Sequence, residues 1–320
     1  MSKRGRCCLS LAESYILLWG HASDAALLAV NASLEKLGAR IAFYDQRRVL
    51  NTEVDFFVDN AVRGLLRVDD EEIHLEEVSA AYIRPFDSRW LSFIESAGPT
   101  SPEWMHAVKI EDALLSWAEI APAFIVNRPQ YIATNASKPY QAARIREVGF
   151  EIPKTLVTTD PEAAKEFFET HREIIYKSVS SQRSVVARLT KERAQDLDNI
   201  SSCPTQFQEW IKGNDYRVHV VADECFACEI VSPADDYRFT NDQQVQLRAY
   251  NLPERIAILC RKLARDLNLP VAGIDLRRTD DDRWFCFEAN PVAGFAYYQG
   301  PCNHHIDDAI ARMLVERGSV

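Results

Sequence analysis

Apolar positions along the chain follow two rhythms, and their order predicts the elements. Near the N-terminus the run SYILLWG reads as a strand over Tyr15–Trp19. A helical pattern follows across Asp24–Leu37, with Ala26, Leu27, Val30, Leu34 and Leu37 on the inner side. Gly38 ends that helix and IAFYD supplies the next strand. A β-α-β opening of this kind predicts a parallel sheet, with strands and helices alternating through the N-terminal third. AAYIRPF then predicts a strand ending at Arg84-Pro85, Glu103–Trp117 an amphipathic helix, and AFIVN a closing strand. The turn Gly20-His21-Ala22-Ser23-Asp24 lacks the G-x-G-x-x-G spacing of a dinucleotide fold.

A second segment opens at Asn127-Arg128-Pro129. A short helix, Tyr140–Val148, is launched by Asn135-Ala136-Ser137-Lys138-Pro139, with Ser137 as its cap and Gly149 as its stop. The strand KTLVTT, the helix Pro161–Thr170 and the strand EIIYKSV come next, and VVARL returns as a hairpin arm after the loop Ser178–Ser184. In a third segment Gln206–Ile211 alternates, Gly213 makes a turn, and Arg217 and His219 share a face of the following strand. Pairing these two strands across the turn would set Glu209, Asp215 and Arg217 around one edge. His219 reads as a satisfied strand histidine before it reads as a catalytic base. Asn251–Asn268 is a clear amphipathic helix, and Ile306–Arg317 a closing one.

The stretch richest in chemistry is Gly273–Gly294, which predicts a β-hairpin with arms Ile274–Arg278 and Trp284–Asn290. A turn centred between Asp281 and Asp282 puts Asp275 across from Glu288, and the period of two puts Glu288 and Asn290 on one face. Leu276 and Phe287 would then face a core. Two carboxylates and an amide oxygen are a donor set for a hard divalent cation, although a plain hairpin with solvent-facing charges has the same spacing.

Composition narrows the classes. The 320 residues are 47% hydrophobic and 26% charged, ordinary for a globular protein with room for two or three modules. A net charge of −10 argues against a general nucleic-acid binder, while a local Lys/Arg cluster can still hold a small anion. No apolar run approaches the ~18 residues of a membrane helix. Glu13 interrupts the one stretch resembling a secretion signal, so a cytoplasmic location is expected. Of eight cysteines only Cys225 and Cys228 form a CxxC, and on a strand they face opposite ways, which predicts reduced, structural thiols. Lys138 at a helix start and Lys177 within a strand are candidates for meeting an anion.

These pieces, in order, resemble the ATP-grasp carboxylate–amine ligases, in the branch with the ribosomal-protein glutamate ligase, glutathione synthetases and peptide-modifying ligases. The resemblance rests on Ser137-Lys138-Pro139, Gly149–Thr155, Tyr176-Lys177-Ser178, Gln208–Ile211, Asp215–Val218, Gly273–Leu276 and Phe287–Pro291, across roughly the last 60% of the chain. It implies an α/β fold with two α+β lobes that hold ATP between them, behind an N-terminal Rossmann-like domain. The expected divisions are 1–127, 128–206 and 207–320. Lys138 and Lys177 would touch the nucleotide phosphates, with Ser181 and Arg183 over them in a loop that is often glycine-rich in the family and here is not. Glu209, Trp210 and Ile211 match the adenine-binding hinge, Asp215 the ribose contact, and Arg217 the contact to the γ-phosphate and acyl phosphate. Asp275, Glu288 and Asn290 match the ligands of Mg²⁺ (or Mn²⁺). The implied reaction joins an amino-acid or peptide carboxylate to an amine through an acyl phosphate.

A small-molecule kinase on the same fold and a non-catalytic nucleotide-binding module are the competing readings. The first lacks a dense basic cluster, and the second would be expected to have lost a metal ligand or Arg217. Arg84, Arg217 and Arg277 are candidates for recognising a substrate carboxylate. Nothing in the residues chooses between a free amino acid and a peptide, and a homodimer is common in such families.

Overall fold

The computed structural model describes residues 14–179, 186–232 and 245–319. They fall into two compact units, the first reaching to Gln130 with residues 294–296 and 305 onward, the second comprising 131–293 and 297–304.

In the first unit, β1 (Tyr15–Gly20), β2 (Ile41–Asp45), β6 (Val78–Arg84) and β7 (Phe124–Val126) form a parallel sheet in the order β2-β1-β6-β7. Because β1 is central, both its faces are covered, which is why its sequence is an unbroken apolar run. Helix α1 (Ala25–Lys36) connects β1 to β2, with the Asp24 carboxylate accepting from the Leu27 N–H at 2.9 Å as its cap. Leu37, expected on the inner side, is 51% exposed because the helix stops at Lys36 and Gly38 turns the chain with φ +69°. The simple alternation of strands and helices does not hold. Between β2 and β6 lies a separate antiparallel meander, β3 (Thr52–Val58), β4 (Val62–Val68) and β5 (Glu71–His74). Its Leu66, Val68 and Ile73 share a core with Leu17, Trp19 and, from α3 (Pro102–Ile120), Leu114 and Trp117. A short helix, α2 (Ser92–Ala97), precedes α3.

The second unit begins within the one-turn helix α4 (Pro129–Ile132), which α5 (Lys138–Val148) follows. It contains two antiparallel sheets. The smaller has the order β10-β9-β11-β8, from β8 (Thr155–Thr158), β9 (Ile174–Ser178), β10 (Ala187–Arg188) and β11 (Thr205–Glu209). Helix α6 (Pro161–His171) covers one face through Ala164, packed with Ile174 and Phe207. The larger has the order β14-β13-β12-β15-β16, from β12 (Asn214–Val221), β13 (Glu224–Val231), β14 (Gln246–Tyr250), β15 (Val271–Arg278) and β16 (Trp284–Asn290). Helices α5 and α7 (Glu254–Asp266) bury Tyr216, Val218, Val220, Ile274 and Leu276 on one face. Burial of apolar area stabilises by roughly 25 cal/mol per Å², so this face anchors the sheet, and Asp215, Arg217 and His219 alternate onto the other. A short helix, α8 (Ala296–Cys302), crosses that other face, and Tyr298 and Cys302 pack there with Cys228 and Ile230.

The closing helix, α9 (Ile306–Gly318), packs with α1, β1, β6 and β7, and Ser33 donates to Asp308 at 2.7 Å. Contacts group α9 with the first unit and both sheets of 131–293 together. A sequence pattern records that a helix is amphipathic and not which apolar surface receives it.

Candidate active site

Three neighbouring rungs of the larger sheet carry the candidate residues. Across β12 and β15, Asp215 faces Arg277, Arg217 faces Asp275, and His219 faces Gly273. On β16, Glu288 stands beside Asp275 and Asn290 beside Gly273. Asp275, Glu288 and Asn290 thus come from adjacent positions on two paired strands. Asn290 Oδ1 accepts from Val292 N–H at 2.9 Å, and an amide oxygen keeps a second lone pair for a cation. Among the described residues no group of three or more His, Cys, Asp or Glu side chains is placed to hold a metal ion by itself. The donor set is two carboxylates and an amide oxygen, which fits Mg²⁺ with water completing its shell.

The hairpin reaches this register differently from the expected turn. Arg278 pairs with Trp284 and Leu276 with Cys286, and a register shift then brings Asp275 opposite Glu288. Phe287 is the extra residue of that bulge. It leaves the core, where Leu276 packs with Cys286 instead, and its ring lines the cleft with Arg277 over it at 5.4 Å.

That cleft, of about 720 Å³, runs between the two sheets. Lys177, Gln208 and Trp210 line it from the smaller sheet, and Asp215, Asp275 and Glu288 from the larger. Lys177 alternates with the core residues Ile174 and Tyr176, so its ammonium joins the cleft face. Lys138 begins α5 and donates to Ser178 O at 3.2 Å, next to Lys177 in the chain, so the two lysines converge. Ser137 caps α5 without a side-chain hydrogen bond, contrary to the expected capping role, and its carbonyl accepts from Gln141 N–H. Gly149 ends the helix at φ +115° as expected.

The predicted edge of Glu209, Asp215 and Arg217 does not form. Strand β11 pairs with β8 and β9 in the smaller sheet, whereas β12 pairs with β13 and β15 in the larger. Glu209 turns its carboxylate to the Lys154 N–H at 3.3 Å. Its own N–H donates to Lys154 O and that of Trp210 to Glu173 O, so the Glu209–Ile211 hinge is pinned to the smaller sheet. Arg188 stacks over Trp210 at 3.8 Å. Ser181 and Arg183 lie outside the described residues.

Two side chains have a part the sequence reading missed. Arg277, a candidate for a substrate carboxylate, instead grips Asp215 with both ends of its fork at 2.7 and 2.8 Å and donates to Ile211 O at 2.8 Å. It ties the hinge to the carboxylate expected at the ribose. Gln141, 2% exposed, donates to Ala289 O at 2.8 Å and accepts from Ala289 N–H at 3.0 Å. It thereby links the helix of Lys138 to the residue between Glu288 and Asn290. A polar residue within an apolar helical stripe was the available signal. Arg84, in the first unit, is engaged by Asp24 at 2.9 Å.

Arg217 is only 7% exposed and lies with Nε 2.9 Å from Asp275 Oδ1. His219 is 1% exposed, and its ring nitrogens have no hydrogen-bond partner among the described residues, so it is not the satisfied strand histidine expected. Burial and the neighbouring Arg217 charge hold its pKa well below the usual histidine range, so it is neutral. Cys225 and Cys228 face opposite sides, as their spacing predicts, and all six cysteines among the described residues are free.

A family model for the RimK-like ATP-grasp domain matches residues 137–314, more than half of the chain. The chain belongs to the RimK-like ATP-grasp family. As a member it is an ATP-dependent carboxylate–amine ligase with ATP and Mg²⁺ as cofactors. Solved ATP-grasp structures share its fold. The macrocyclase MdnC from Microcystis aeruginosa MRC, bound with precursor peptide MdnA, superposes with a TM-score of 0.80 at 23% identity, covering 95% of this chain and 99% of that one. The ATP-grasp ligase PsnB, complexed with a precursor variant, Mg and ADP, gives 0.78 at 23% identity, covering 96% and 99%. D-alanyl-alanine synthetase A from Vibrio cholerae gives 0.62 at 12% identity, covering 97% and 99%. No curated protein matches the sequence. Among the described residues no helix of this ATP-grasp chain is long and apolar enough to cross a membrane.

Proposed function

We propose that this ligase activates a carboxylate of a peptide substrate as an acyl phosphate and joins it to an amine, releasing ADP and phosphate. The observation that carries the residue roles is the register of β15 and β16, with Asp275 opposite Glu288 on the cleft face and Arg217 on the adjoining strand. A peptide is favoured because MdnC and PsnB, both of which share the fold over most of this chain, were solved with precursor peptides.

In this reading the adenine lies against the hinge Glu209–Ile211, between Trp210 and Phe287, and the ribose meets Asp215 in the orientation Arg277 sets. Asp275, Glu288 and Asn290 would hold Mg²⁺, which supplies charge neutralisation at the phosphates. Lys138 and Lys177 bind the phosphate oxygens. A substrate carboxylate oxygen attacks the γ-phosphorus, and the bond from that phosphorus to the ADP oxygen breaks. The amine then adds to the acyl carbon and phosphate leaves. Arg217 steadies the negative charge in both steps from a buried position, where it acts more strongly than in water. Catalysis on this account is positioning and electrostatics.

The test is ATP consumption by the purified chain with a pool of acidic peptides and hydroxylamine. Acyl hydroxamate forming in step with ADP is the expected outcome. Phosphorylated peptide without hydroxamate would sink the ligase chemistry, and turnover with free amino acids alone would sink the peptide reading. A homodimer and a cytoplasmic location belong to the same proposal, checked by molar mass in solution and by cell fractionation.

A further inference from the structure

Arg217 is held by more than Asp275. In the third rung of the site, β15 offers no side chain. A Cβ built on Gly273 would lie 2.6 Å from Arg217 Nη1 and 2.6 Å from the Ala293 Cβ. The guanidinium therefore occupies the space that any side chain at 273 would take. Gly273 has an ordinary strand conformation, so room and not backbone freedom is what requires glycine here. Filling that space brings the guanidinium alongside the rung of Asn290, the cross-strand partner of Gly273.

Helix α8 closes the arrangement from outside the sheet. The Tyr298 ring lies 5.5 Å from Arg217 Cζ and 5.2 Å from the His219 ring, and Tyr298 is itself 6% exposed. One turn later Cys302 meets Cys228 with 2.7 Å between the sulfurs, and Cys228 is the partner of Arg217 on β13. The helix is thus fastened to the strand beside Arg217, and its aromatic ring lies within cation–π range of the guanidinium. An arginine side chain has many rotamers, and a charge that must act at one phosphoryl group needs one of them selected.

We infer that Tyr298 and Gly273 are positioning residues for Arg217. The Tyr298 ring supports the guanidinium, and the bare backbone at 273 lets it reach past Asp275 toward Asn290. This rests on the assignment of Arg217 to the γ-phosphate, and it extends the site to α8, an element outside the motif set.

The experiment compares binding of Mg·AMPPNP and Mg·ADP by calorimetry in the intact chain, because only the first ligand carries a γ-phosphate. Tyr298→Ala should lower the preference for Mg·AMPPNP about fivefold, the fold-change that corresponds to a cation–π contact of about 1 kcal/mol. It should leave the affinity for Mg·ADP unchanged. Tyr298→Phe keeps the ring and should match the wild type. Gly273→Ala should lower the same preference, and the two Tyr298 variants carry the test if that variant does not fold. A Tyr298→Ala protein with the wild-type preference, or one that loses both ligands equally, overturns the inference. A wild-type chain that binds Mg·ADP but shows no preference for Mg·AMPPNP overturns the Arg217 assignment itself, a separate result.

Discussion

Two adjacent rungs of the larger sheet hold the same pair of residues in opposite order. Asp215 on β12 faces Arg277 on β15, and one rung on Arg217 faces Asp275. The first pair is closed. Both carboxylate oxygens meet the fork, and the remaining guanidinium nitrogen is spent on the hinge carbonyl of Ile211. The second pair meets through Arg217 Nε and Asp275 Oδ1, and it has a second carboxylate, Glu288, on the neighbouring strand. Two carboxylates side by side repel each other unless a cation joins them. The difference teaches that an Arg–Asp pair becomes structure or chemistry according to its third neighbour. A backbone carbonyl turns the first into a clamp, and in the proposed function an extra acid makes the second the edge that would hold the metal.

The comparison breaks most severely at the acid. Glu288→Ala and Asp275→Asn should each reduce ATP turnover roughly 10³-fold or more, with the circular dichroism of the folded chain retained. Next is Arg217→Lys, which keeps the charge and loses the planar fork. A fall in kcat of roughly 10²-fold is expected, with the affinity for Mg·ADP retained, read by steady-state kinetics and calorimetry. Arg277→Met acts on the closed rung and should behave otherwise. Leaving Asp215 half-buried without its partner should cost about 2 kcal/mol in urea unfolding and raise KM for ATP more than it lowers kcat. Adding Asp215→Leu should recover much of the stability and none of the KM. Equal kinetic damage from Arg217→Lys and Arg277→Met would erase the distinction between the rungs.

The smallest effect is on pH dependence. His219 stays neutral in the folded chain because burial and Arg217 lower its pKa, while in the unfolded chain it protonates near 6.5. Below that value the unfolded state binds the extra proton, so stability is full above pH 6.5 and falls as the pH drops. The slope from this group is at most about 1.4 kcal/mol per pH unit. His219→Phe should flatten the acid side of the stability profile measured by urea titration, and an unchanged profile would show that other groups set it.

Much of the fold was legible where the signal is local. The β-α-β opening, Gly149 as a stop and the amphipathic α7 follow from period and caps. The convergence of Lys138 and Lys177 was readable as motif order, since each sits at the end of an element of predictable type. Non-local pairing was less legible. Gly213 looked like a hairpin turn, yet β11 is taken by β8 and β9 and the chain passes to another sheet. The opposition of Asp275 and Glu288 was expected and is present, but through a bulge at Phe287 that no alternation reveals. The roles of Arg277 and Gln141 were hidden for the same reason, because their partners lie 62 to 66 and 148 residues away in the chain.

The most direct test follows acyl hydroxamate and ADP together, in wild type and Asp275→Asn, with ATP, Mg²⁺, hydroxylamine and the peptide pool. The account predicts coupled formation of both products by the wild type and neither by Asp275→Asn at equal fold content. Hydroxamate produced by Asp275→Asn at the wild-type rate would contradict it.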